Sequence, residues 1–197
     1  MSEVTIIDSG GANLASLEIA FRRLGATTQI TDSPQEVTRA RRVVLPGVGA
    51  ATPCMKRLYR SGLAALLPTL AQPVLGVCLG MQLFYQYSEE GPTSCLGLLP
   101  QTVRGLAPAP GRPIPHMGWN TLHHLQSDPL LEGVREGEYV YFVHSYGAPV
   151  STFTIATAQY GLPLSAVVRR NNFWGTQFHP ERSGSTGVQI LKNFLRL

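Results

Sequence analysis

Three residues of this chain have the type and the setting for covalent acyl chemistry: Cys78 in GVCLG, and His179 and Glu181 in GTQFHPE. A thiolate is a strong nucleophile, an imidazole can take the thiol proton, and a carboxylate can orient the imidazole and stabilise its cation. An apolar run precedes Cys78 and helix-forming residues follow it. That order is the sulfur counterpart of the nucleophile elbow, in which a strained turn lifts the side chain above a sheet edge. Gly76 and Gly80 leave room for the turn, and a helix N-terminus behind it favours thiolate over thiol. Taken alone, a cysteine between Val77 and Leu79 reads first as a packing residue, and only the flanking glycines bring the two readings near balance; His-Pro-Glu alone reads first as an exposed polar turn. In combination they favour chemistry. Pro180 biases His179 towards extended geometry and has its own φ fixed, so an extended His-Pro-Glu puts His179 and Glu181 on one face.

Acyl transfer also needs N–H donors aimed at the oxygen that becomes negative. The backbone N–H of Leu79, at the helix start, is one candidate. Pro46-Gly47-Val48-Gly49 offers a second through the amides of Val48 and Gly49, because a glycine-bracketed peptide can turn either way at little steric cost. From the tetrapeptide alone an ordinary loop is an equal reading.

The elements that must position these residues show in the hydrophobic pattern. Val4-Thr5-Ile6-Ile7, Val43-Val44-Leu45 and Val74 to Val77 read as strands. Between them, Leu14, Leu17, Phe21 and Leu24 recur at helical spacing, and helices are expected over Leu58 to Leu67 and from about Gly80. Such alternation implies a mostly parallel sheet with helices on both faces, whose sites lie at the carboxyl ends of the strands. Cys78 and Pro46-Gly47-Val48-Gly49 therefore share one edge. Beyond Leu99 come the proline-rich APAPGRPIPH and β-like runs at Tyr139 to Val143, Phe153 to Thr157, Ala166 to Arg169 and Phe173 to Phe178. These are expected to be extra antiparallel strands. The proline stretch is compatible with a linker, but the chain after it completes the site begun at Cys78, so residues 1–197 are read as one domain. A closing helix is expected over Val188 to Leu197.

Composition narrows the function classes. The 197 residues, 44% hydrophobic, suit one substantial core. Sixteen basic against twelve acidic side chains give a net charge of +4, scattered in small groups rather than in the stripe that nucleic-acid binding needs. An acidic partner protein stays open. Three cysteines without CxxC or Cys/His spacing suggest neither a disulfide framework nor a zinc site. The N-terminus does not read as a signal peptide, and no apolar run approaches the ~18 residues of a membrane span. A cytoplasmic protein without metal or cofactor is expected.

Six stretches together, IIDSGGANLAS, LPGVGA, PVLGVCLGMQLF, PHMGWN, YFVHSY and GTQFHPERSG, resemble the class I (triad-type) glutamine amidotransferases over essentially the whole chain. Gly-x-Cys-x-Gly with His-x-Glu is specific for that superfamily. PHMGWN and PGVG narrow the likeness to the histidine-pathway branch, the glutaminase subunits of imidazole glycerol phosphate synthase. The resemblance implies a flavodoxin-like fold of that family and a partner, a (β/α)8-barrel cyclase subunit, in a heterodimer. It implies attack by Cys78 on the glutamine side-chain amide, protonation of departing ammonia by His179, and hydrolysis of a glutamyl thioester. Ammonia would be channelled to the cyclase. By position, Gly47, Gln82 and Glu90 match residues that bind glutamine, the latter two at its α-amino end; Ser145 and Tyr146 match those whose backbone N–H groups bind its carboxylate. Met117, Trp119, Asn120, Tyr141 and Arg182 match positions at the partner interface.

Without the family, Glu90 reads as a solvated acid, Trp119 and Tyr141 equally as core, and His144 as a structural histidine outside the catalytic set. Two departures stand out: Asp8-Ser9-Gly10-Gly11-Ala12-Asn13 where many relatives have D-Y-G-x-G-N, and Arg182 where many have lysine. The competing readings are a glutaminase for another synthase of the pyridoxal phosphate type, a related cysteine hydrolase, and a module that retains the triad without using it. Low activity is expected without partner, because the glycine-rich strand must reorient to complete the oxyanion site.

Overall fold

Each β-branched run in the first half of the chain forms a parallel strand in the computed structural model, which describes residues 3–10, 14–47 and 49–197. Val48 and Gly11-Ala12-Asn13 lie outside the described residues. Strand β1 (Val4–Ile7) leads into helix α1 (Leu14–Arg23), β2 (Thr28–Thr31), α2 (Pro34–Arg39), β3 (Val43–Leu45), α3 (Ala51–Arg60), α4 (Leu63–Leu66), β4 (Val74–Val77) and α5 (Leu79–Gln82). The second half adds β5 (Tyr85–Ser88), β6 (Thr93–Ser94), β7 (Leu99–Gly105), β8 (His116–Thr121), β9 (Tyr139–His144), β10 (Tyr146–Gly147), β11 (Thr154–Tyr160), β12 (Leu162–Arg170), β13 (Phe173–Thr176) and α6 (Gly184–Phe194).

A seven-stranded sheet runs in the order β11-β12-β13-β4-β3-β1-β2. From β13 to β2 its strands are parallel, and β12 and β11 extend it antiparallel. The architecture is thus the mostly parallel sheet with antiparallel additions that the sequence pattern implies. Side chains alternate across the pleat, so both faces are apolar and both need cover. Val4, Ile6, Leu75 and Val77 pack with Leu17 and Phe21 of α1 and with Ile190, Leu191 and Phe194 of α6. Ile7, Val43, Leu45 and Val74 pack on the other face with Met55 and Leu58 of α3 and with Leu63. Beside this sheet stand a four-stranded sheet, β10-β7-β5-β6, and the antiparallel pair β8-β9. No helix among the described residues is long and apolar enough to cross a membrane.

Three expectations are corrected. The helix expected over Leu58 to Leu67 is two, because Gly62, at φ 78°, breaks α3 from α4. The helix after Cys78 is a single turn that gives way to β5. The closing helix begins at Gly184 rather than Val188. Its first turn is packed so tightly on the preceding chain that a Cβ at Gly187 would overlap the Pro180 carbonyl. Glycine, serine and threonine in that turn hide the helix from a search for apolar periodicity.

Candidate active site

Strand β4 ends where β3 and β13 flank it, and the chain then reverses at Cys78 with φ 53° and ψ −109°. A non-glycine residue holds such a backbone only where its surroundings over-determine it. Here the Cys78 N–H donates to the Thr176 carbonyl at 2.7 Å and its carbonyl accepts from Gln82 N at 3.2 Å. The two flanking glycines permit close approach. A Cβ on Gly76 would lie 2.7 Å from Met81 N and from the Phe84 ring, and one on Gly80 would overlap the Leu45 carbonyl. The one-turn length of α5 limits the macrodipole expected from sequence to its local N–H groups. Cys78 Sγ lies 3.8 Å from the Val143 carbonyl and 3.8 Å from Gln177 Nε2.

His179 follows β13 in extended conformation (φ −95°, ψ 99°) and donates its N–H to the Tyr141 carbonyl at 3.0 Å. The extended His-Pro-Glu expected from sequence is corrected at Pro180, which opens a 3₁₀ turn, Pro180–Arg182. Proline's fixed φ and missing N–H suit a first helical position, so the same residue that keeps His179 extended starts the turn. The turn brings Glu181 Oε1 to 2.8 Å from His179 Nδ1, with the two side chains 0% and 3% exposed. Ser183, which sequence reading passed over, ties the turn together: its hydroxyl donates to the His179 carbonyl at 2.6 Å and accepts from Tyr141 N–H at 3.0 Å. Burial opposes charge on the His179 ring, but hydrogen bonds and charge interactions with Cys78 and Glu181 outweigh it and push the pKa up to about 10. Imidazolium is therefore favoured at neutral pH. With Nδ1 on Glu181, Nε2 is the nitrogen left for the side-chain hydrogen bond with Cys78.

A cavity of about 210 Å³ opens beside Cys78 and His179, and its wall includes Gly47, Gly49, Leu79, Gln82, Glu90, Ser145 and Tyr146. All the described residues named from sequence for the oxyanion and for glutamine thus surround one space; Val48 lies outside the description. The Gln82 amide nitrogen donates to the Tyr146 carbonyl at 2.8 Å and to Gln177 Oε1 at 3.0 Å. Its Oε1 is left to accept from a ligand. Glu90 is half-buried rather than freely solvated. One of its oxygens accepts the Ala51 N–H at 2.9 Å, and burial raises its pKa against the pull of that bond. Its other oxygen is available to the cavity. Gln177 and His144 also join this wall or its hydrogen bonds. A long amide side chain two positions before His179, inside the strand-like run Phe173 to Phe178, was the available sign for Gln177.

The residues named for the partner interface cluster on β8, β9 and the 3₁₀ turn. Met117 and Trp119 are 61% and 55% exposed, and Trp119 meets Tyr141 edge-to-face with ring centroids 5.9 Å apart. Arg182 is exposed next to Glu181. Asn120 is half-buried, its amide donating to the Gln159 carbonyl at 2.9 Å. Met117 and Trp119 are thus large apolar side chains left exposed on one face of β8.

Comparison with known proteins places these observations in a family. The profile of Glutamine amidotransferase class-I matches residues 5–197. Among curated relatives, the imidazole glycerol phosphate synthase subunit HisH of Xylella fastidiosa (strain Temecula1) is 49% identical, with all of this chain and 98% of the relative aligned. The protein of the same name from Pasteurella multocida is 47% identical over 99% of this chain and 98% of its own length. Among solved structures, a GMP synthase subunit of Thermoplasma acidophilum superposes with a TM-score of 0.78 at 19% identity, covering 100% of this chain and 93% of that one. PurLQS from Thermotoga maritima gives a TM-score of 0.72 at 18% identity, over 100% and 99%. At those identities the two structures speak for the fold alone.

Proposed function

The chain belongs to the class I glutamine amidotransferases, and we propose that it is the glutaminase subunit of imidazole glycerol phosphate synthase, releasing ammonia from glutamine for histidine biosynthesis. The full-length likeness to HisH subunits supports the choice of enzyme. The observation that carries the chemistry is the Cys78 elbow set against the buried His179–Glu181 pair at the mouth of a cavity of single-amino-acid scale.

Glutamine enters with its side-chain amide at Cys78. Gln82 Oε1 and the second oxygen of Glu90 take the α-ammonium, and the backbone at Ser145 and Tyr146 takes the carboxylate. Cys78 Sγ attacks the amide carbon while imidazolium at His179, held by Glu181, keeps the proton that the leaving nitrogen needs. Negative charge then develops on the amide oxygen, and the Leu79 N–H, with the peptide of Val48 and Gly49, stabilises it. As the C–N bond breaks, His179 Nε2 gives its proton to nitrogen and ammonia departs. His179, now neutral, takes a proton from water; hydroxide adds to the thioester, and Cys78 leaves as glutamate is released. The ammonia passes to a barrel-shaped cyclase docked over Met117, Trp119, Asn120, Tyr141 and Arg182. There it enters N′-phosphoribulosyl-formimino-AICAR ribonucleotide to give imidazole glycerol phosphate and AICAR ribonucleotide.

The test is glutamine turnover by the chain alone, with the histidine-pathway cyclase, and with the pyridoxal phosphate synthase partner. Strong stimulation by the first and none by the second is expected. Stimulation only by the second would assign the chain to another synthase. A chain as fast alone as in the complex would contradict the partner-gated reading.

A further inference from the structure

Two buried histidines outside the triad, His116 and His144, are left without a task by the mechanism. The register of β8 against β9 sets His116 directly opposite His144. His144 Nδ1 lies 2.8 Å from the Tyr146 carbonyl, and His144 Nε2 lies 2.9 Å from His116 Nδ1. The other His116 nitrogen lies 3.3 Å from Asn120 Nδ2. Burial lowers the pKa of both rings to about 4; His116 and His179 nearby also disfavour charge on His144, against the pull of the Tyr146 carbonyl. Both rings are neutral at pH 7, and a neutral ring carries one proton.

A carbonyl only accepts, so His144 carries its proton on Nδ1 and accepts at Nε2. His116 must then donate from Nδ1 and accept from Asn120 at Nε2. Asn120 is committed as well, since its amide donates to the Gln159 carbonyl and its Oδ1 accepts Thr121 N–H at 2.8 Å. One proton arrangement therefore satisfies every partner along the line. The His116 ring is also clamped, with Tyr160 stacked at 3.9 Å and Phe142 at 4.8 Å between centroids. At the far end, the Tyr146 carbonyl accepts a second bond from Gln82, whose amide continues through Gln177 to Cys78 Sγ.

We infer that His116 and His144 are positioning residues: a neutral hydrogen-bonded relay from Asn120 on the β8-β9 hairpin to the Tyr146 carbonyl, which sets the far end of the amino-acid cavity. Neither ring touches the reacting atoms in this role. The relay holds the peptide that follows Tyr146 and the Gln82 amide in register with each other, and through that peptide the backbone at Tyr146. It ties Asn120, which lies on the opposite face of β8 from Met117 and Trp119, to the groups that grip substrate away from the reacting amide. The inference rests on the glutaminase reading for the identity of that substrate.

The test measures kcat and KM for glutamine in the complex with the cyclase. His116→Phe keeps a flat ring in the stack and removes both nitrogens. Its KM is expected to rise about ten-fold with kcat changed less than about three-fold, the scale of one lost buried hydrogen bond. A purely structural lesion would instead lower the active fraction, reducing apparent kcat and leaving KM alone. His144→Asn keeps a donor for the Tyr146 carbonyl, but its own oxygen falls short of the Nε2 position from which His116 is met, so it is expected to raise KM in the same direction. If His116→Phe does not fold, His144→Asn decides alone. KM within two-fold of wild type in the folded variant, or loss confined to kcat, overturns the relay. Absence of cyclase-stimulated turnover in the wild-type chain would instead overturn the glutaminase reading.

Discussion

Cys78 adopts a left-handed backbone at a cost of about 1–3 kcal/mol, which the strand, the one-turn helix and the Thr176 carbonyl hold in place. Replacing Cys78 with Ala removes the nucleophile and leaves binding, so glutaminase kcat should fall by about a thousand-fold or more while the complex still assembles. Glu181 acts through His179. In Glu181→Gln the imidazolium keeps its interaction with Cys78 but loses the carboxylate on Nδ1, so its pKa falls from about 10 and the alkaline limb of kcat/KM moves to lower pH. A limb that stays in place would show that Glu181 orients the ring without setting its charge. The cysteine, the histidine and the glutamate were legible because their neighbours are glycine and proline, which mark turns by type. His116 and His144 were not. Their meaning depends on a cross-strand register that joins residues 28 positions apart, and each alone is an ordinary buried histidine.

At the scale of elements, the elbow depends on how closely α5 approaches β3. Gly80→Ala would drive a methyl into the Leu45 carbonyl, and neither the strand nor the one-turn helix is free to move. We expect a loss of about 1–3 kcal/mol in chemical denaturation together with loss of glutaminase activity. Unchanged stability would mean that α5 shifts readily. Strands β1, β3 and β4 were legible as short β-branched runs because both of their faces are buried. Strand β2, Thr28–Thr31, escaped notice because this edge strand carries polar residues and only partial burial. The run after Cys78 misled in the opposite way. Helix-forming residues there are stopped after one turn by the pairing of Tyr85 to Ser88 with β7, a tertiary choice that overrides local preference.

For the whole molecule, folding two histidines in neutral form links stability to acid. An unfolded histidine titrates near 6.5, whereas His116 and His144 titrate at about 4 in the fold, so between those values the unfolded chain binds more protons. The contribution of these two rings to stability should therefore be complete above pH 6.5 and fall as pH is lowered towards 4, whereas that of His179, raised to about 10, is present below 6.5 and lost as pH rises towards 10. His116→Phe should flatten that slope in denaturation curves taken across the interval, and an unchanged slope would remove His116 as its source. The family was legible over the whole chain because six motifs fall in order along it. The resting state of the oxyanion strand was not, since one peptide orientation at Val48 leaves no mark in residue types.

The central claim is that nitrogen leaves glutamine at Cys78 and reaches the partner's product. Glutamine labelled with heavy nitrogen in its amide, given to the chain with its cyclase, should place the label in the imidazole ring of imidazole glycerol phosphate. The Cys78→Ala complex should make the same product from added ammonium salt but take no label from glutamine. Label in the product of the Cys78→Ala complex, or none in that of the wild type, would contradict the account.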